Sequence, residues 1–292
     1  MYKGAYMLNE KSQNTKPAIV MQTDFTKDIS TCTMEGVCMM VDPTLRTFDS
    51  THNIPSFSTY AASCALAFIV DYWPAGTVFV SVVDPGVGTS RKACVALLKN
   101  GSYVVTPDNG SLTHMFRHPG IAAVRQIDES VNRLPGSEGV NIFHGRDVFA
   151  YTAARLAAGI IDFDGVGPAY STADIILHPI VAPAVHDHVI SGMIESVDCH
   201  FGLISSNIPM DIFAAEGLDY NSTLETVIRH EDKTVYQADV PYVPSFGSVK
   251  KGMPLLMNSE MRTIQIALNQ ENLASRYGIG SGPDWLISFR RK

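Results

Sequence analysis

The sequence predicts an α/β protein with two parts: an N-terminal α/β layered domain with a central, mostly parallel sheet, and a small C-terminal β-barrel-like domain. Through residue 160, apolar β-branched runs such as residues 77–83 alternate with helical patterns, as in layered α/β domains. From Ile190 onward, the apolar segments are short and separated by turn residues. A stretch with two prolines, residues 177–183, is typical of a linker. We therefore predict a flexible extension over 1–16, an α/β domain over 17–178, a linker over 179–189 and a β domain over 190–292.

The elements follow in order from hydrophobic pattern and turn chemistry. Residues 18–21 are a short apolar run, which predicts a buried strand that ends at Thr23. Alanine and apolar residues at helical spacing predict a helix over 58–72, which Pro74 and Gly76 stop. The other predicted elements of this domain are helices over 34–40 and 147–159 and strands over 46–49, 77–83, 93–98 and 103–106. Those of the second domain are strands over 190–197, 224–229, 234–239, 253–258 and 262–268.

Polar residues follow three of the predicted strands of the first domain. These segments are Thr23-Asp24, residues 84–88 and residues 107–110. In open α/β sheets, ligands bind beyond the carboxyl ends of the strands. The sequence therefore predicts a site at that edge of the sheet.

The composition excludes several classes of protein. Hydrophobic residues make up 46% and charged residues 17% of the chain, which indicates a folded globular protein. A net charge of −7, with no basic run of five or more, argues against binding to nucleic acid or to an anionic membrane. No run of 18 apolar residues and no signal-type apolar stretch occurs. The five cysteines lack zinc or redox spacing, so we expect reduced thiols and a cytoplasmic protein.

A metal site is not predicted. His144, Asp147, Asp84 and Asp108 are possible ligands of a hard or borderline cation, but they form no HxxxH pair or dense carboxylate cluster. The best local alternative is His186-Asp-His188, whose position near the linker favours a solvated loop.

Two segments carry the residue types that chemistry needs. Asp84 ends a strand and precedes two glycines that let a backbone approach a ligand, and the Arg91 guanidinium can return to it across a tight turn. An ordinary strand-end turn closed by an ion pair would have the same pattern. His144 precedes the helix that Asp147 begins, a common location for a site residue, although a lone histidine is more often structural.

Taken together, the motifs resemble one family. They are Thr23-Asp24-Phe25, VVDPGVG from residue 82, Arg91, PDNG from residue 107, FHGRD from residue 143 and Ser206-Asn-Ile208, in the family's order over residues 18–275. The family is the S-adenosyl-L-methionine (SAM) hydrolases, or SAM hydroxide adenosyltransferases, which share their fold with the SAM-dependent fluorinase and chlorinase.

The resemblance implies a reaction without a cofactor, in which SAM is the substrate. Water attacks the 5′ carbon of SAM, and the products are adenosine and L-methionine. By resemblance, Asp84, Arg91 and His144 hold and activate the water. It also implies a homotrimer whose sites lie between the N-terminal domain of one subunit and the C-terminal domain of its neighbour.

The resemblance further assigns substrate-binding residues. In the first domain, Asp24 matches the acid that holds the ribose hydroxyls, Phe57 an aromatic beside the ribose and sulfur, and Phe143 a pocket wall. In the second domain, Asp198 matches the acid that holds the methionine ammonium, Phe246 an aromatic against adenine, and Ser259 a serine near the methionine carboxylate. The family usually has Phe-Gly-Asn at the adenine-contacting turn, whereas this chain has Leu203 as the third residue, so backbone groups or Asn207 would have to compensate.

Two other functions remain open from the sequence. A SAM-dependent halogenase has an aromatic residue where Asp84 stands, and a carboxylate there would repel a halide. Gly145 and Val87 also lack the hydroxyl groups that a fluoride site needs. The second alternative is a non-catalytic SAM or adenosine binder, which Leu203 keeps open.

Overall fold

The computed structural model describes residues 15–292, so nearly all of the predicted extension over residues 1–16 lies outside the described part. The described chain forms two compact units that divide between Leu177 and His178. Within residues 15–292, no helix is both long enough and apolar enough to cross a bilayer.

The first unit is an α/β layer structure built on one sheet. Its strands lie in the order β2-β1-β3-β5-β4-β6-β7, parallel from β2 to β5 and antiparallel from β5 to β7. The elements are β1 (Ala18–Thr23), α1 (Ile29–Val41), β2 (Arg46–Thr51), α2 (Thr59–Ile69), β3 (Val78–Val82), β4 (Ala93–Leu98), β5 (Tyr103–Pro107), α3 (Thr113–Arg117), β6 (Ile121–Gln126), α4 (Tyr151–Ala157) and β7 (Ala169–Tyr170). The predicted α/β class is confirmed.

The central strands are buried on both faces, which explains their continuous apolar runs. Every residue of β1 and β3 is buried. Along β1, Ile19 and Met21 pack into the cluster that contains α1 and α4 residues, whereas Val20 packs with Leu66 of α2 and Met115 of α3. Successive strand residues thus face two helical layers, as the period-2 alternation of a strand requires.

The parallel register brings the predicted polar segments to one edge. Thr23 at the end of β1 pairs with Val82 at the end of β3. Asp24 and Asp84 therefore leave the sheet on neighbouring strands at their carboxyl ends, where the sequence predicted a site.

The second unit is an antiparallel, barrel-like sheet with the order β12-β11-β15-β9-β10-β14-β13, and β8 pairs with β9. A parallel bridge between Tyr242 and Leu256 joins the end of β12 to β13, so the sheet is nearly closed. The elements are β8 (Ala184–His186), β9 (Val189–Val197), β10 (Ile204–Pro209), α5 (Met210–Ala215), β11 (Thr223–His230), β12 (Lys233–Pro241), β13 (Pro254–Asn258), β14 (Thr263–Leu268), α6 (Leu273–Tyr277) and β15 (Gly282–Arg291). The predicted β-barrel-like part is confirmed.

The helix predicted over 147–159 has a different first turn. A π-helical turn, Gly145–Ala150, begins directly after His144 and continues into α4. Short π-helical turns inside helices occur frequently at functional sites. His144 lies directly before this wider turn.

Candidate active site

The centre of the candidate site is a buried ion pair between Asp84 and Arg91. The Arg91 Nε donates to both carboxylate oxygens at 2.9 and 3.0 Å, and its NH2 group donates to Oδ2 at 2.5 Å. Only 9% of the Arg91 side chain and 5% of the Asp84 side chain are exposed. The guanidinium also lies 5.2 Å from the ring centroid of the buried Phe149. Both charges are therefore shielded from water and held in one fixed geometry.

His144 completes the predicted set of three. The NH2 group of Arg91 lies 2.9 Å from its Nδ1, and the ring is buried. The structure thus brings together the three residues that the sequence proposed, from the β3–β4 turn and from the start of the π-helical turn. Arg91 lies between the carboxylate and the imidazole and contacts both.

Two further residues of this cluster were missed by the sequence analysis. The NH2 group of Arg133 lies 3.1 Å from Nε2 of His144, and it donates to Oε2 of Glu129 at 2.7 Å. The available signal was the spacing of four residues between a glutamate and an arginine, which is common in ordinary ion pairs. No motif marks them, so the contact with His144 is evident only in three dimensions.

The surroundings of His144 favour its neutral form. Burial lowers the pKa of the imidazole below its usual value, and the positive charges of Arg91 and Arg133 lower it further. The negative charges of Glu129 and Asp84 oppose this shift. The net lowering of the pKa keeps the ring uncharged at neutral pH, so it can accept a hydrogen bond.

Gly88 allows the two halves of the cluster to approach. Its φ is +75°, and a Cβ at this position would lie 2.7 Å from the carbonyl oxygen of Asn141, three residues before His144. Glycine is thus required at this position for two reasons: the left-handed backbone and the close approach of the segment that carries His144.

We expect Gly88→Ala to destabilise the fold by about 1–3 kcal/mol more than Gly76→Ala, because only the first adds a clash with backbone to the left-handed strain. Gly76 is the matched control, since its φ is +87° and no atom lies within 4 Å of the place that an added methyl group would occupy. Urea denaturation of both variants measures the difference. Equal losses in the two variants would show that the Asn141 segment moves away without cost.

Asp24 and Phe57 are also brought together. The backbone N–H of Phe57 donates to Oδ2 of Asp24 at 2.8 Å. Phe57 has a φ of +66°, which is rare for an aromatic residue, and 74% of it is exposed. A strained, exposed aromatic beside an anchored carboxylate is typical of a ligand-binding position.

A buried histidine supports the segment that carries Asp24. His52 lies 2.9 Å from the hydroxyl of Thr23 through Nδ1 and 3.0 Å from Asp49 through Nε2. The Thr23 hydroxyl also accepts the N–H of Phe25 at 3.1 Å. Because the Asp49 carboxylate can only accept, Nε2 donates to it, and in the neutral ring Nδ1 is then the acceptor for the Thr23 hydroxyl. This chain of bonds fixes the end of β1.

Phe143 packs beside the same segment. Its ring meets Phe25 edge to face at a centroid distance of 6.0 Å, and the Arg146 guanidinium lies 4.9 Å from its ring centroid. A Cβ on Gly145 would lie 3.2 Å from the Phe25 ring, so the small residue after His144 makes room for this packing.

Two family models match the chain. The SAM hydroxide adenosyltransferase N-terminal domain matches residues 19–167, and the SAM hydroxide adenosyltransferase C-terminal domain matches residues 192–286. The chain belongs to the SAM hydroxide adenosyltransferase family.

Curated proteins similar to this chain include SAM hydrolases and a fluorinase. A protein of Salinispora tropica named (R)-S-adenosyl-L-methionine hydrolase is 32% identical over 268 residues, which cover 91% of this chain and 95% of that protein. A protein of the same name from Methanocaldococcus jannaschii is 31% identical, over 73% of this chain and 72% of its own. A fluorinase of an Actinoplanes species is 24% identical, over 92% of this chain and 96% of its own.

A solved structure shares the fold of this chain. The crystal structure of an uncharacterized conserved protein from Thermotoga maritima superposes with a TM-score of 0.82 at 30% identity. The match covers 94% of this chain and 100% of that chain.

In the C-terminal unit, Asp198 organises an exposed turn. Its Oδ1 accepts the backbone N–H groups of His200 at 2.8 Å and Phe201 at 2.7 Å. Both bonds are to the same carboxylate oxygen. The exposed Phe201 and the half-exposed Phe246 are in the same unit.

Asn207 and Ser259 are engaged within this unit. The Asn207 side chain accepts the N–H of Met193 at 2.9 Å and donates to the carbonyl of Val181 at 2.7 Å. The Ser259 hydroxyl pairs with that of Thr263 at 2.9 Å. Both residues are largely buried. Their polar groups thus already hold the backbone of β9 and the β13–β14 turn.

Leu203 is the departure from the usual SAM hydroxide adenosyltransferase turn, and it faces apolar side chains. It packs with Val249 against a small buried cluster formed by Val243, Leu255, Met257 and Ala267. An asparagine amide in these surroundings would lack polar partners from the cluster. The leucine therefore contributes packing within this unit.

The described residues contain no group of three or more histidine, cysteine or acidic side chains arranged to hold a metal ion. His186 and Asp187, from the segment weighed as a metal alternative, are highly exposed and pair with each other at 2.9 Å.

Proposed function

We propose that this chain hydrolyses SAM to adenosine and L-methionine by attack of water on the 5′ carbon. The observation that carries the proposal is the buried cluster of Asp84, Arg91 and His144 at the carboxyl edge of the sheet. The relatives named SAM hydrolases, at 31% and 32% identity, support the same reaction. The substrate itself carries the leaving group, so the reaction needs no cofactor.

In this proposal, Asp84 is the group that orients the water and accepts its proton. Arg91 has only donors, and both ring nitrogens of His144 face guanidinium groups. The Asp84 carboxylate accepts from Arg91 but has further lone pairs, so it alone of the three can accept from water without breaking a contact. As the C–O bond forms, the C–S bond breaks, methionine leaves as a neutral thioether and the proton passes to the carboxylate.

The roles of Arg91 and His144 follow from their contacts. Arg91 fixes the direction of the carboxylate with three short N–O distances. His144 accepts from the same guanidinium and limits its rotation. Holding the water in line with the C–S bond supplies much of the rate of such a displacement.

We propose that the remaining residues bind the parts of SAM that do not react. Asp24 and Phe57 contact the ribose, and Phe143 forms a pocket wall. In the C-terminal unit, Asp198 binds the methionine ammonium, Phe246 contacts adenine and Ser259 lies near the methionine carboxylate. Asn207, whose amide is engaged by Met193 and Val181, holds the backbone of β9. A homotrimer, with sites built from two subunits, is the assembly that the family resemblance favours.

Halide transfer is disfavoured by the charge at the centre of the site. The fluorinase relative shares 24% identity, and a fluoride ion would have to approach the Asp84 carboxylate. Two like charges in a shielded site repel strongly. The expected nucleophile is therefore water.

Isotope labelling tests the proposal directly. With SAM in H₂¹⁸O, attack on the 5′ carbon places ¹⁸O in the 5′-hydroxyl of adenosine, and chromatography gives adenosine and methionine in equal amounts. The two sulfonium epimers are supplied separately, because the relatives are named for the (R) epimer, and we expect faster turnover of that epimer. Tight adenosine binding without turnover of either epimer would identify a binding protein, and 5′-halogenated adenosine would identify a halogenase.

A further inference from the structure

We propose that Arg133 and Glu129 are positioning residues for the hydrolysis, which fix the tautomer of His144 and, through His144, hold Arg91 on Asp84. This inference rests on the proposed function, since its effect is on the water-orienting cluster. The family resemblance assigned neither residue a role. The evidence is the geometry on the two sides of the imidazole ring.

The His144 ring faces a hydrogen-bond donor on each side. Arg91 lies 2.9 Å from Nδ1 and Arg133 lies 3.1 Å from Nε2. A guanidinium has no acceptor, and a neutral imidazole has one acceptor nitrogen and one N–H. The ring can therefore accept from only one of the two arginines, and the N–H on its other side needs an acceptor.

The Arg91 side is the fixed side. Arg91 is bound to Asp84 through Nε and NH2, lies over the Phe149 ring and is almost completely buried. Its NH2 group therefore lies between the Asp84 carboxylate and Nδ1 of His144 and contacts both. The lone pair of His144 then belongs on Nδ1, where it accepts from Arg91, and the proton belongs on Nε2.

The Arg133 side supplies the acceptor for that proton. Glu129 accepts from the same NH2 group of Arg133 at 2.7 Å, so its carboxylate lies beside the nitrogen that meets Nε2. We infer that this carboxylate accepts the Nε2 proton when the Arg133 group moves aside from Nε2. Arg133 is itself tied to the segment before His144, because its Nη1 donates to the carbonyls of Ser137 at 3.4 Å and Val140 at 3.2 Å.

The pair also controls whether His144 is charged. A protonated ring would present N–H groups to both arginines, and the bond that holds Arg91 would be lost. The charged groups that face the ring are Glu129 and Arg133 from one segment and Asp84 and Arg91 from the other. On its own helix, Asp147 is already paired with Arg146. Neutral His144 is therefore required. The acid limb of the pH–rate profile, where kcat falls as the pH decreases, follows the protonation of His144.

The two partners have opposite signs, which makes the test specific. Arg133→Gln removes a positive charge that lowers the His144 pKa, so the acid limb of kcat moves to higher pH. Glu129→Gln removes a negative charge that raises the pKa, so the acid limb moves to lower pH. Arg133→Lys keeps the charge, so its acid limb stays close to the wild-type position. At pH 7 we expect Arg133→Gln to lower kcat on the order of 10-fold, the lower end of the losses known for the hydrogen-bond partners of metal-bound histidines.

The experiment combines rates with a spectroscopic measurement that needs no turnover. kcat is measured from about pH 5 to 8, and ¹⁵N spectra of the His144 ring report its tautomer and titration in the same variants. Arg155→Gln is the control, because Arg155 binds the same segment through Asn132 at 2.9 Å without contacting His144. We expect the Nε2–H tautomer in wild type, opposite shifts for Arg133→Gln and Glu129→Gln, and no shift for the control.

Adenosine release tests the proposed function, whereas the ring spectra and the pH dependence of kcat test the roles of Arg133 and Glu129. If wild type releases no adenosine, the hydrolysis is wrong, while the ring spectra still report the tautomer and the two shifts. If wild type turns over SAM but neither variant moves the ring titration or the acid limb, Arg133 and Glu129 are merely structural. An Nδ1–H tautomer in wild type would also overturn the assignment.

Discussion

Asp84→Asn is expected to lower the rate of SAM hydrolysis by about 10²- to 10⁴-fold, the range for loss of a proton-accepting group. Asparagine has nearly the shape of aspartate, and its oxygen can still accept from Arg91. It cannot take a proton from water at neutral pH, and its amide hydrogens face a donor-only guanidinium. The loss should therefore appear in kcat, since the ribose and methionine contacts assigned to other residues are unchanged.

The measurement is adenosine release by chromatography, together with adenosine affinity by calorimetry. Asp108→Asn is the matched control, because Asp108 is another buried aspartate at the carboxyl end of a central strand. Its carboxylate accepts from Tyr170 and from the backbone N–H of Ile176, within the fold. Burial raises the pKa of Asp108, so a neutral amide is compatible with that position. Full activity in Asp84→Asn would remove Asp84 from the proposed mechanism.

The sequence could single out Asp84 and His144 as candidate catalytic residues because both are tied to the ends of a strand or a helix. Asp84 follows the apolar run of β3, and His144 directly precedes the π-helical turn and α4. Such positions are fixed by local structure, so the motifs that carry them are informative. The turn suggested the contact of Arg91 with Asp84, and the family resemblance placed His144 with them. In the structure, Arg91 lies 2.9 Å from the Asp84 carboxylate and 2.9 Å from Nδ1 of His144.

Arg133 and Glu129 were not predictable in the same way. They lie in an irregular segment whose place is set by tertiary contacts, such as the bond from the N–H of Leu134 to the carbonyl of Asp147 at 2.8 Å. Hydrophobic periodicity carries no information about such a segment. The π-helical turn was not predicted for a related reason, because it interrupts the 3.6-residue period over only a few residues.

Three strands of the C-terminal sheet, β8, β10 and β15, were also missed, and β8 lies within the predicted linker. The centre of β10 is polar, but Ser206 and Asn207 are buried because their side chains bond to backbone groups, including the carbonyl of Ile264 at 2.6 Å from the Ser206 hydroxyl. Such a strand lacks the apolar alternation that predicts one. β15 begins at Gly282 and Pro283, residues typical of turns, and becomes a strand by pairing with both β9 and β11.

Arg91→Met is expected to lower both stability and activity. It leaves the Asp84 carboxylate buried with no partner charge, and breaking one side of a buried ion pair costs about 3–5 kcal/mol. The rate of hydrolysis should fall as well, because the carboxylate loses the three contacts that fix its direction and His144 loses the donor at Nδ1. Thermal or urea denaturation gives the first effect, and adenosine release gives the second.

A double-mutant comparison separates the loss of stability caused by the unpaired Asp84 charge from the loss caused by missing packing contacts. If the unpaired carboxylate is the cause, adding Asp84→Asn to Arg91→Met restores a large part of the lost stability but none of the activity. Arg276→Met is the control for an exposed pair, since Arg276 and Glu271 are 47% and 31% exposed, and we expect a loss below about 1 kcal/mol. Equal losses in Arg91→Met and the double variant would instead attribute the effect to contact between Arg91 and the Phe149 ring. The buried pair would then be a packing feature, and the orientation of Asp84 would have to come from His144 or from the substrate.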